Sequence, residues 1–227
     1  MKIFEKQMNK NFKFYLESIN QNINIVYIDM DGVLADLDMK QKNFIKNNYQ
    51  DIFKDEELKN LWHLTQKEKI KILINIFNKK NKNVTNEQLK KIKDIYWQKF
   101  IEQKCFENLK VMPQVKILSQ TLKELKKIKP DLKIEILGST GNPLNHHIVA
   151  EQKKIWLNNH KKDIDIDFDR YNFVAGRTLK QNYANQKSVL IDDTLSNCEE
   201  FKNAGGKSLY VDNNMPSLMI KLKNYIR

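Results

Sequence analysis

Four short, mainly apolar runs rich in β-branched residues constrain the fold of this chain more than any other feature: Ile25 to Ile28, Ile134 to Leu137, Tyr171 to Val174 and Val189 to Ile191, interrupted only by Glu135 and Asn172. A run with apolar residues at successive positions has little polar side to turn toward water, and reads as a strand covered on both faces. A fifth run, Ser208 to Val211, follows Gly205-Gly206. Helical patterns lie between most of them. Val115, Leu118, Leu122 and Leu125 recur at helical spacing after Pro113. Ile148, Val149, Gln152 and Ile155 follow Asn142 as N-cap and Pro143 at the first helical position. Strands alternating with helices predict an α/β protein built on a three-layer, Rossmann-like parallel sheet.

One interval breaks the alternation. From about Leu37 to Met112 no convincing strand occurs, and so long a gap cannot be a structureless loop inside a packed domain. Thr65-Gln-Lys-Glu68 is a capping box opening a helix with Ile70, Leu73, Ile74 and Phe77 on one face. Thr85-Asn-Glu-Gln88 opens another that carries Leu89, Ile92, Tyr96 and Phe100. The expected organisation is a core of residues 1–36 and 113–227, with an all-helical insertion over 37–112. A further helix is predicted where Phe4, Met8, Phe12 and Leu16 fall at helical spacing.

The chain has 227 residues, 41% of them hydrophobic, which suffices for a real core. Its apolar runs are far shorter than a membrane span, and residues 1–22 lack the unbroken apolar stretch of a signal peptide, so a cytoplasmic protein is expected. Cys105 and Cys198 stand in no metal or redox spacing and read as free, reduced thiols. A formal charge of +12 favours phosphate-bearing partners, because a basic surface steers anions toward itself. Lysine is spread throughout, however, and runs such as Lys79-Lys80-Asn81-Lys82 read as solvated faces. With no arginine-rich arm, zinc knuckle or RNP-like stretch, nucleic acid is not the favoured partner.

In an open parallel sheet ligands sit at the carboxyl ends of the strands, so the residues after each apolar run matter most. Asp29 and Asp31 follow the first, Gly138-Ser139-Thr140-Gly141 the second, Gly176, Arg177 and Lys180 the third, and Asp192-Asp193 the fourth. Two carboxylates ~4 Å apart repel by roughly 4 kcal/mol at an effective dielectric of about 20. Gathered carboxylates therefore call for a hard cation, and Mg²⁺ takes oxygen ligands while leaving positions for a phosphate. Ser139 and Thr140 before a helix start offer phosphate ligands, and a lysine neutralises the remaining charge. Taken singly, Asp29-x-Asp31 is an ordinary turn, Lys180 a surface lysine and Asp192-Asp193 a helix cap. Their shared placement at strand ends gives them a joint meaning.

The ordered set Asp29-Met-Asp31-Gly-Val-Leu, Ser139, Lys180 and Asp192-Asp193 resembles the four motifs of the haloacid dehalogenase-like (HAD) phosphatases. The strings "DMDGVLAD", "CFENLKVMP" and "LIDD" look most like the 5'(3')-deoxyribonucleotidases and their phage and bacterial relatives. The resemblance implies that Asp29 attacks phosphorus to form an aspartyl-phosphate and that Asp31 serves as acid and then base. It implies a metal site of Asp29, Asp31 through its backbone carbonyl, and the 192–193 pair, with Asp192 or Asp193 as the direct ligand. Ser139, Thr140, Lys180 and Arg177 would hold the phosphate. Lys187 competes with Lys180 for the lysine's role, since the spacing around Arg177 departs from the nucleotidase pattern.

Inserted helices at this point imply a cap that shuts out water and favours small substrates. Its aromatics Trp62, Trp97 and Phe106 are candidates to stack on a base, against the alternative that at least two of them are cap core. The expected activity is hydrolysis of (deoxy)nucleoside monophosphates. The alternatives are a 3'-phosphatase acting on nucleic-acid ends and a catalytically silent nucleotide- or nucleic-acid-binding module.

Overall fold

Five strands form one parallel sheet in the computed structural model, which describes residues 23–76, 84–212 and 214–226. The predicted helix around Phe4 to Leu16 and the lysine run at 79–82 lie outside the described residues. The strands are β1 (Ile25–Ile28), β2 (Lys133–Ser139), β3 (Arg170–Val174), β4 (Ser188–Asp192) and β5 (Lys207–Tyr210), in the order β3-β2-β1-β4-β5. β1 is central: Val26 stands opposite Ile134 and Val189, and Ile28 opposite Ile136 and Ile191. Whatever follows β1, β2 and β4 therefore emerges side by side.

Both faces of the sheet are buried, as the mainly apolar runs predict. Val26, Ile28, Ile134, Ile136, Val189 and Ile191 are buried on one face. On the other, Tyr27, Leu137, Val174 and Leu190 cluster with Phe201. The strands run past their apolar stretches, so that Ser139 pairs with Val174 and Asp192 with Tyr210 as ladder residues. Among the flanking helices, α4 (Val115–Ile128) buries Val115, Leu118, Leu122 and Leu125 and packs on α8 (Met215–Ile226). α7 (Leu195–Asn203) packs on β4 and β5, and α6 (Lys161–Ile164) is a single turn.

A second compact unit, Ala35–Lys110 with His147–Asn159, is helical. It contains α1 (Leu37–Ile52), α2 (Gln66–Ile74) and α3 (Asn86–Glu102). Asp36 caps α1 by accepting from the Met39 N–H, and both predicted capping boxes, Thr65 with Glu68 and Thr85 with Gln88, are formed. α3 buries Leu89, Ile92, Tyr96 and Phe100 as its spacing predicts. In α2 the buried residues are Ile72 and Leu73 rather than Ile74, which is 58% exposed because the helix stops there with Asn75 as C-cap; Phe77 lies outside the described residues.

This unit exceeds the insertion expected from sequence, for it takes in α5 (His146–Asn159) from His147 onward. The reason lies in three buried contacts. The Trp156 Nε1–H donates to the Leu109 carbonyl at 2.8 Å, the Gln152 amide to the Ile101 carbonyl at 2.8 Å, and the Lys153 ammonium lies 5.3 Å from the centre of the Phe106 ring. No helix among the described residues is long and apolar enough to cross a membrane.

Candidate active site

The carboxyl ends of β1 and β4 bring their acids together because the strands are adjacent and in register. The Asp29 N–H donates to the Ile191 carbonyl at 2.9 Å, which sets Asp29 beside Asp192. Carboxylate oxygens of Asp29, Asp192 and Asp193 lie within 4.8 Å of one another. Asp29 and Asp192 are buried, and Lys180 is buried between them. Its ammonium is 2.9 Å from Asp29 Oδ2 and 2.7 Å from Asp192 Oδ2. Burial alone would lower the Lys180 pKa, but the two carboxylates outweigh it and hold the pKa above the ordinary lysine value. Lys180 is thus cationic at neutral pH.

Asp192 is saturated. Its Oδ1 accepts from the Thr194 N–H at 2.8 Å and from the Asn197 amide at 3.0 Å, and its Oδ2 accepts from Lys180 and from Asn197 at 3.1 Å. Asp193 is differently situated. The residue is exposed, but its carboxylate lies against Gly32, whose φ of +73° and lack of a side chain let it approach; a Cβ there would collide with Asp193 Oδ2. Burial of the carboxylate, and then the charges of Asp192 and Asp31, push the Asp193 pKa from 3.8 up to about 6, with Lys180 and the Thr194 hydroxyl opposing. One lysine does not balance these acids. A cluster of hard oxygen donors short of positive charge fits a small divalent cation.

That imbalance has a measurable sign. Because its folded-state pKa is raised, protonated Asp193 contributes stability that is fully present below pH ~4 and lost as pH rises through about 6. Asp193→Asn is therefore expected to raise the melting temperature of the metal-free protein at pH 7.5 and to leave it unchanged at pH 4. The same variant should lose most of the stabilisation that Mg²⁺ gives the wild type. Thermal melts at the two pH values, with and without Mg²⁺, check this; a wild-type-sized Mg²⁺ shift in the variant would remove Asp193 from the metal site.

The other sequence-predicted residues fall out as follows. Asp31 is half-buried just past Asp29, and its charge acts on Asp193. Ser139 ends β2, and its Oγ accepts from the Gly141 N–H at 3.1 Å. The Thr140 hydroxyl lies within hydrogen-bonding distance of the Val174 carbonyl, at 3.1 Å, and of His146 Nδ1, at 2.8 Å. Arg177 is exposed at the start of the turn Arg177–Tyr183 that buries Lys180. Lys187 is exposed just before β4, and its carbonyl accepts from the Ile25 N–H. That puts Lys187 at the amino end of the sheet, away from Asp29. Trp97 and Phe106 belong to an aromatic cluster of the helical unit: Phe106 is buried, and the nearly parallel rings have centres 6.2 Å apart. Trp62 is 45% exposed.

Two participants escape the sequence reading. Asn197 bridges both Asp192 oxygens, and His146 Nδ1 lies 2.8 Å from Thr140 Oγ1. Asn197 has a faint signal, one turn into the helix after the Asp pair, where side chains lean back toward the helix start. Cys105 and Cys198 are buried free thiols, and burial pushes Cys198 up to about 11.

No family model and no curated protein matches the sequence. Solved structures match it in fold. A haloacid dehalogenase-like family hydrolase from Xanthomonas campestris is 14% identical, with 89% of this chain and 91% of that one covered, at a TM-score of 0.51. For a predicted phosphatase from Clostridium acetobutylicum the values are 19%, 89%, 99% and 0.50. A HAD-superfamily hydrolase from Ehrlichia chaffeensis gives 13%, 91%, 98% and 0.50. Likeness at such identities speaks for architecture and leaves chemistry to the site. The chain has the parallel-sheet α/β fold of the haloacid dehalogenase-like hydrolases.

Proposed function

We propose that this protein is a Mg²⁺-dependent phosphomonoesterase that forms an aspartyl-phosphate on Asp29 and acts on nucleoside monophosphates, deoxy forms foremost. The observation that carries this reading is the buried lysine bridging two carboxylates, Lys180 to Asp29 at 2.9 Å and to Asp192 at 2.7 Å, with Asp193 beside them. Acids whose protonation is perturbed by burial and by specific charged neighbours mark candidate functional sites. Asp29 and Asp193, with the Asp31 backbone carbonyl, would hold Mg²⁺. When bound, the ion supplies the positive charge that lets an anionic phosphate approach an anionic carboxylate. Asp192, saturated by Lys180, Asn197 and the Thr194 N–H, acts by fixing Lys180.

In the first step an Asp29 oxygen bonds to phosphorus as the ester P–O bond breaks, and the leaving oxygen takes a proton from Asp31. In the second, water gives a proton to Asp31 and attacks phosphorus, releasing phosphate and restoring the Asp29 carboxylate. Lys180 and the Ser139 hydroxyl hold the phosphoryl oxygens.

The nucleotide assignment draws on the resemblance of "DMDGVLAD", "CFENLKVMP" and "LIDD" to strings of the deoxyribonucleotidases. Among the aromatics of the helical unit, Trp62 is exposed and open to a ligand, while Trp97 and Phe106 pack on each other. Initial rates on a panel of mononucleotides, sugar phosphates and 3'-phosphorylated oligonucleotides in excess Mg²⁺ test the reading. Mononucleotides are expected to lead. A preference for oligonucleotide ends that fades steeply with salt would transfer the activity to nucleic acid, and binding without turnover of any of them would make the chain a silent module.

A further inference from the structure

The carbonyl oxygen of Val174, the last residue of β3, is a hub. It accepts from the Thr140 N–H at 2.9 Å, from the Thr140 hydroxyl at 3.1 Å and from the Gly176 N–H at 3.0 Å. Thr140 Oγ1 also lies 2.8 Å from His146 Nδ1, a hydrogen bond whose direction follows the imidazole tautomer. The contact closes the turn between β2 and α5 on itself, while Val174 ties it to the end of β3. Both segments belong to the sheet-bearing unit.

Each tied segment leads to a residue of the phosphate site. Ser139 immediately precedes Thr140, and its Oγ is oriented by the Gly141 N–H. Beyond Val174 the chain passes Gly176 into the turn that carries Lys180. The two segments run close, since a methyl group on Gly176 would lie 3.9 Å from the Gly141 carbonyl oxygen. Thr140 itself is buried, 7% exposed.

From this we infer that Thr140 and His146 are positioning residues: they form a brace that fixes the Ser139 hydroxyl relative to the Lys180 ammonium and so tunes affinity for a phosphoryl group that neither touches. The inference rests on the reading of Ser139 and Lys180 as phosphate ligands. Donors held in place before the ligand arrives bind more tightly than donors that must be ordered by it.

The test uses Thr140→Val and His146→Leu, which delete the contact, beside Thr140→Ser and His146→Asn, which keep a hydroxyl and a donor near the Nδ1 position. Calorimetry of inorganic phosphate in Mg²⁺ gives Kd, and p-nitrophenyl phosphate gives KM and kcat. Losing one hydrogen bond should weaken phosphate binding and raise KM by about five- to tenfold in the deleting variants, with kcat and both values in the conserving variants within about twofold of wild type. Thr140→Val keeps the backbone bond to Val174 and guards against loss of fold. A lower melting temperature with Kd and KM unchanged would make the brace merely structural and overturn the inference, as would a fall in kcat alone. A wild type that binds phosphate but hydrolyses nothing overturns the hydrolase reading, and the Kd series still decides the brace. A wild type that binds no phosphate overturns both.

Discussion

Asp29→Asn is expected to abolish turnover of an aryl phosphate in Mg²⁺, by on the order of 10⁴-fold or more, while the protein keeps its fold. The carboxamide has nearly the same shape, and its oxygen can still accept the Met30 N–H that now meets Asp29 Oδ1 at 2.8 Å. What it lacks is a nucleophilic oxygen. Lys180 keeps Asp192 at 2.7 Å, so one of its two ion pairs survives. Initial rates beside a thermal melt read both halves of the expectation. A folded variant that retained more than about a tenth of wild-type turnover would take the nucleophile's role away from Asp29.

Lys180→Met is expected to be the most destabilising single change at this site, about 3–5 kcal/mol, because it leaves buried Asp29 and Asp192 facing each other without their shared cation. For a chain of this length that corresponds to a drop of roughly 10 °C in melting temperature. Methionine keeps the length and bulk of the stem, so charge rather than packing carries the difference. The pH dependence separates the two causes further. Since the Lys180 pKa is raised, its contribution in the wild type is fully present below the ordinary lysine pKa and lost only as pH rises through the higher folded value. In the variant, acid should protonate one of the orphaned carboxylates, so the deficit at pH 5 should be smaller than at pH 8. A variant melting within about 2 °C of wild type at neutral pH would mean that this ion-pair triad contributes nothing to the fold.

The strands were legible because their sequence signature is local. Ile25 to Ile28 and Val189 to Ile191 can be buried only as covered strands, and the helices beginning after Thr65 and Thr85 announce themselves by caps that act within one turn. The strand ends were less legible. Ser139 and Asp192 are polar and stop an apolar run, yet the ladder carries them because backbone hydrogen bonds do not depend on the side chain. α5 was read correctly as a helix but not as part of the helical unit, since periodicity tells which face is apolar and not which surface covers it. The same limit applies to Trp97 and Phe106, whose ring contacts join residues that sequence spacing does not pair.

By itself, the sequence determined the type of most elements, the sheet class and the strand ends at which acids, a seryl hydroxyl and a lysine stand. These follow from burial and local hydrogen bonding, which act over a few residues. Only the tertiary structure set the Lys180 ammonium beside Asp29 and put Lys187 at the amino end of the sheet, because those placements depend on how the turn before β4 folds back. Only it separated Asp192, saturated by Asn197, Thr194 and Lys180, from Asp193, left short of positive charge. It also showed Thr140 tying the end of β2 to the end of β3 through the Val174 carbonyl. Each of these rests on distances between residues remote in the chain, and electrostatic and hydrogen-bond energies are set by such distances rather than by residue type.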